Sequence, residues 1–120
     1  ANIGLDYMWF GEDEGHYAAP LKLMRFLKTD LEAARCVFEV DGTVTEQQVL
    51  HPLALLATMA QSALTVEKEE SDDADSDWNV AARWVEWFWN QPLREGDRRY
   101  YDNCLYLFAL LALSGNYRIY

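Results

Sequence analysis

The chain has 120 residues, 51% of them apolar or aromatic, and a formal charge of −10 from 20 acidic and 10 basic side chains. That much apolar material supplies a core for one domain and excludes a disordered chain. The acidic balance excludes a nucleic-acid backbone as partner, because phosphate contacts need clustered Lys and Arg. No apolar run reaches the roughly 18 residues of a bilayer-spanning helix, so no membrane partner is expected.

The opening segment "ANIGLDYMWF" places Ile3, Leu5, Met8 and Trp9 at helical spacing. No capping residue precedes it, and this predicts that Ala1 lies inside a helix that began earlier. A turn with Glu12, Asp13 and Glu14 follows, and negative charge there suits the N-terminus of a second helix. Pro20 is tolerated only in a first turn, so this helix starts near Tyr17. Its expected buried stripe is Leu21, Met24 and Leu27 with their neighbours Leu23 and Phe26.

"VFEVDGTVT" changes character. Its β-branched residues and the Asp41-Gly42 pair predict a short hairpin near 37–45 with a two-residue turn. Three more helices follow. One has Pro52 at its permitted first position. The next starts at Ser76 or Asp77 and ends by Pro92. The last starts at Asp102 or Asn103 and is stopped by Gly115 in a left-handed C-terminal turn. Leu105, Leu107, Phe108, Leu110, Leu111 and Leu113 make this last helix apolar around nearly its whole circumference, so it must be surrounded. The predicted class is all-α, about five helices with one hairpin. No internal repeat is visible.

Residues with chemistry are thinly spread. There is no phosphate loop, no nucleophile-His-Asp order and no Cys/His zinc spacing, so neither metal nor cofactor is expected. The acidic stretch "EKEESDDADSD" lacks the glycine turn of a calcium loop and reads as a solvated loop. Cys36 and Cys104 read as buried thiols, with a disulfide between them left open. His16, in the acidic turn, reads as a surface residue. His51 stands at a helix entrance, where capping and lining a cleft are both open. Asp6 reads as a structural hydrogen-bonding group, and Asp102 as a helix cap. Trp84 and Phe88 share one helical face and read as core. The other tryptophans and Tyr100, Tyr101, Tyr106, Tyr117 and Tyr120 form an aromatic set suited to stacking on sugar rings. Tyr100 and Tyr101, at a loop-to-helix junction, are the best placed of them.

Four stretches, "GLDYMWFGED", "FEVDGTV", "LHPLALLATMA" and "YYDNCLYLFALLALSGNYRIY", together resemble the C-terminal third of glycoside hydrolase family 8. The resemblance runs over essentially all of residues 1–120 and about a third of a family member. It implies part of an (α/α)6 barrel, an inner ring of helices enclosed by an outer one. The implied reaction is inverting hydrolysis of β-1,4-linked glycans of the xylan type. In such hydrolysis one carboxyl protonates the leaving oxygen while another, about 6.5–9.5 Å away, activates water. The family's acid and base fall before the matching segment, so no catalytic residue is carried over, and Asp6 matches a different position. The implied partners are a neutral β-1,4-linked oligosaccharide and the N-terminal part of the barrel. His51, Tyr100 and Tyr101 are the candidate substrate contacts. Leu50-His51-Pro52 is similar to a kinked loop of the reducing-end xylose-releasing exo-oligoxylanases, whose cleft it narrows. Those enzymes carry a His just before the kink, where this chain has Val49, so endo and exo action both stay open. The rival reading is a non-catalytic helical carbohydrate-binding or protein-interaction module.

Overall fold

The computed structural model describes residues 1–11, 17–27 and 36–117. The acidic turn at Glu12, Asp13 and Glu14, His16, the Cys36 side chain and Tyr120 lie outside the described residues. The elements are α1 (Asn2–Trp9), α2 (Ala18–Leu27), β1 (Cys36–Phe38), β2 (Val44–Gln48), α3 (Pro52–Ser62) with a 3-10 turn (Ala63–Thr65), α4 (Asp77–Trp89) and α5 (Arg99–Leu113).

The first helix begins at Asn2. In its first turn Leu5 N–H donates to the Ala1 carbonyl at 3.3 Å. α2 starts one residue after Tyr17, with Pro20 in its first turn. Its stripe is narrower than expected. Met24 and Leu27 are buried, but Leu23 and Phe26 are exposed. They stand on the flank of the helix facing the hairpin, where Phe26 meets Phe38 edge-on at 5.1 Å.

The antiparallel hairpin forms where the β-branched residues stand, but its turn differs from the expected two-residue type. Gly42 N–H donates to the Glu39 carbonyl and Glu39 N–H to the Thr43 carbonyl. Val40 and Asp41 are therefore the central residues, and Gly42, at φ +88°, closes the loop in the left-handed region.

Helix boundaries follow the local chemistry. Pro52 opens α3, where its missing N–H costs nothing. Ser76 caps α4, its Oγ accepting the Asn79 N–H at 3.3 Å. α5 begins at Arg99, one turn before the expected start, because Arg98 reverses the chain with φ +63°. Its end is as expected. Gly115, at φ +73°, donates to the Ala112 carbonyl and Asn116 to the Leu111 carbonyl, a Schellman closure.

Packing joins these pieces around two clusters. Met24, Leu27, Leu56, Met59, Val80 and Trp84 form one, with Trp84 fully buried. Ala57 and Ala60 of α3, Phe88 of α4 and Ala109 of α5 form the other, and the alanines let the helices approach closely. Trp84 and Phe88 are thus core residues, as their shared face predicts. The starts of α3 and α5 touch, and Ala57 and Ala60 meet Ala109 further along, so these two helices pack directly side by side in the same direction while α4 packs on α3. Asp6 accepts the Tyr17 O–H at 3.0 Å, the structural role expected of it. Covering of α5 is one-sided among the described residues. Asp102, Ala109 and Ala112 are buried, whereas Leu107 and Phe108 remain half exposed.

Candidate functional site

The joined starts of α3 and α5 hold Asp102, the buried charged side chain among the described residues. His51 occupies the N-cap position of α3, yet its side chain caps nothing. That role falls to Asp102, whose Oδ1 accepts the Ala54 N–H at 2.8 Å. The early start of α5 makes this reach possible by placing Asp102 inside the first turn. Asp102 therefore caps the neighbouring helix, not its own as the sequence led us to expect.

Asp102 is completely buried, and a buried carboxylate must be compensated. Arg94 supplies the compensation: its Nη1 donates to Asp102 Oδ2 and, at 2.8 Å, to the Leu50 carbonyl. The Arg94 backbone is held in turn by Asn103, whose Oδ1 accepts its N–H at 2.9 Å and whose Nδ2 donates to its carbonyl at 3.0 Å. Two adjacent residues of α5 thus grip both ends of Arg94, and Arg94 grips the residue before His51.

The His51 ring neighbours both Asp102 and Tyr101. Its Nδ1 is 3.7 Å from Asp102 Oδ2, too long for a hydrogen bond but close for a charge and a dipole. The Tyr101 ring also neighbours it, 4.7 Å away and tilted by 55°. His51 Nδ1 is buried without a hydrogen-bond partner, while 31% of the side chain stays exposed.

Of the three expected sugar contacts, the structure brings His51 and Tyr101 together. Tyr100 is 81% exposed and lines a different depression of about 580 Å³ with Arg98, Asn103, Cys104 and Leu107. Cys104 is a half-buried free thiol. Arg94 carried no signal in the sequence and Asn103 only that of a helix start, because their contacts with each other lie nine residues apart across a loop. Among the tryptophans, Trp87 packs edge-on against buried Trp84 at 5.4 Å. Trp78 and Trp89 line a cleft of about 570 Å³ with Leu64, Val66 and Val85.

Chemically, this cluster can bind and orient. Both Asp102 oxygens are engaged as acceptors and the residue is sealed from solvent, so it is not placed to shuttle a proton. Half-exposed Tyr101 offers an aromatic face and His51 a hydrogen-bonding edge, the pairing that suits a sugar ring with its hydroxyls. Among the described residues no group of three or more His, Cys, Asp or Glu side chains could hold a metal ion, and no helix is long and apolar enough to cross a membrane.

Fold and cluster together define a segment of an all-α barrel, and solved structures show the same arrangement. A reducing end xylose-releasing exo-oligoxylanase superimposes with a TM-score of 0.82 at 43% identity, covering 98% of this chain and 28% of that one. In sequence the chain is 46% identical over 118 residues to the reducing end xylose-releasing exo-oligoxylanase of Bifidobacterium adolescentis, covering 98% of this chain and 30% of that protein. It is 43% identical over 120 residues to the enzyme of the same name from Halalkalibacterium halodurans, covering 100% of this chain and 29% of that protein. Structures of such enzymes include one complexed with xylose and a mutant complexed with xylobiose. No protein-family model matches the chain. The chain is related along its whole length to the reducing-end xylose-releasing exo-oligoxylanases, and it spans about 30% of the length of these curated relatives.

Proposed function

We propose that residues 1–120 are the C-terminal portion of a single (α/α)6-barrel domain of glycoside hydrolase family 8, acting on xylan or xylo-oligosaccharides with inversion. The observation that carries this reading is 46% identity maintained over 98% of the chain to an enzyme named for releasing xylose from reducing ends. The acid and base of the reaction are supplied by the preceding part of the barrel. This chain supplies substrate contacts: His51 and Tyr101 in the cluster, and Tyr100 beside it. By itself it is inactive, since the proton transfers of glycoside hydrolysis need two carboxyls at a fixed separation. The preceding part of the barrel is also the partner that covers Leu107 and Phe108 on α5.

The test is a chimera in which this chain replaces the matching 118-residue segment of the Bifidobacterium adolescentis enzyme. Xylose released from xylotriose by the folded chimera, and none by the chain alone, is the expected result. A folded but inactive chimera would overturn the reading. The rival, a binding module without catalysis, requires the chain to be monomeric by itself. The open face at Leu107 and Phe108 opposes it, and sedimentation of the isolated chain decides the matter.

A further inference from the structure

We infer that Arg94 and Asp102 are positioning residues that hold His51 as its Nδ1–H tautomer, so that Nε2 is presented as a hydrogen-bond acceptor to a hydroxyl of a neutral sugar. The ligand class rests on the proposed function; the tautomer does not. In a neutral imidazole one nitrogen carries the proton and the other a lone pair, and the partner of one nitrogen sets the state of both. Nδ1 of His51 is buried, and the charged group facing it is the Asp102 carboxylate at 3.7 Å. A lone pair on Nδ1 would point at a negative oxygen, whereas an N–H there points its positive end at it. Nδ1 is buried while 31% of the side chain is exposed, so the open part of the side chain lies elsewhere than at Nδ1.

The carboxylate can do this only because it is fixed. Ala54 N–H holds one oxygen and Arg94 the other, so Asp102 cannot rotate toward solvent. Arg94 also binds the Leu50 carbonyl, so the same guanidinium that fixes the carboxylate fixes the backbone carrying the ring. The Tyr101 ring packs against the His51 ring at 4.7 Å. A sugar hydroxyl donating to Nε2 would meet the lone pair that the Nδ1–H form leaves on that nitrogen.

The chain contains two histidines, His16 and His51, so a His16→Asn background leaves one imidazole to observe. Long-range proton–nitrogen spectra of the 15N-labelled chain at alkaline pH read the tautomer directly. The expected spectrum has a protonated Nδ1 and an unprotonated Nε2. Asp102→Leu should move the ring to the Nε2–H form, and Arg94→Gln should give a mixture that Arg94→Lys partly restores. A protonated Nε2 in the otherwise unaltered chain overturns the inference, and this readout stands even where Asp102→Leu fails to fold. An active chimera combined with that spectrum overturns the tautomer assignment alone. An inactive chimera combined with the Nδ1–H form overturns the sugar as the ligand class, and with it the Nε2 contact.

Discussion

Asp102 Oδ1 accepts the Ala54 N–H at 2.8 Å, so α3 is capped by a side chain 48 residues later in the chain. A helix start leaves N–H groups without partners, and one is ordinarily satisfied by a nearby Ser, Thr, Asp or Asn. Here the cap crosses between helices, which ties the start of α3 to the start of α5 and makes the site depend on both.

Removing that carboxylate should be costly. Asp102→Ala leaves Arg94 without its partner and Ala54 without its acceptor, and breaking a buried pair from one side costs about 3–5 kcal/mol. Asp102→Asn keeps an acceptor for Ala54 and should lose roughly half as much, in line with a charged hydrogen bond becoming a neutral one. Urea denaturation followed by tryptophan fluorescence measures both. Equal losses for the two variants would show that the ion pair, not the cap, matters.

The contact between α1 and the end of α3 allows no side chain. A Cβ on Gly4 would lie 2.4 Å from the Gln61 carbonyl oxygen, which belongs to rigid helical backbone. Gly4→Ala should therefore cost about 1–3 kcal/mol by forcing α1 away, although alanine favours helix elsewhere. Hydrogen exchange should show faster opening of α1 while α4 keeps its protection.

The hairpin turn should respond to acid. Thr43 N–H donates to Asp41 Oδ1 at 2.9 Å, and this bond holds the Asp41 carboxyl below the ordinary carboxylate range. A depressed folded value means the contribution is fully present above the unfolded value, near pH 4, and is lost as pH falls through the folded one. Thr43 amide protection should fall in that window in the native chain and be independent of pH in Asp41→Asn. Gly42→Ala should weaken the turn at every pH, since φ +88° strains an alanine and the Phe26 ring stands 3.3 Å from its Cβ.

The aromatic pair before Asp102 should divide in function. Tyr101 packs against His51 and Tyr100 does not share that cluster. In the chimera, Tyr101→Ala should raise KM for xylotriose about 3- to 10-fold, the worth of one lost aromatic contact. Tyr100→Ala should have a smaller effect. KM values for both variants settle the comparison, and equal changes would place the two tyrosines in one site.

Much was legible from local patterns, because local forces set it. Pro52, Ser76 and Gly115 mark helix ends through backbone chemistry that needs no partner elsewhere. The Val-rich stretch with Asp41-Gly42 marks the hairpin for the same reason, and the family resemblance carried the barrel segment that the solved structures share. Tertiary structure alone decided the start of α5 and everything that follows from it. Arg98 takes a left-handed conformation that no residue-by-residue preference foretells, and that reversal turns Asp102 from a cap of its own helix into the buried hub for Ala54, Arg94 and His51. Propensity acts over a few neighbouring residues, whereas the burial of a charge is decided by whatever distant groups arrive to satisfy it.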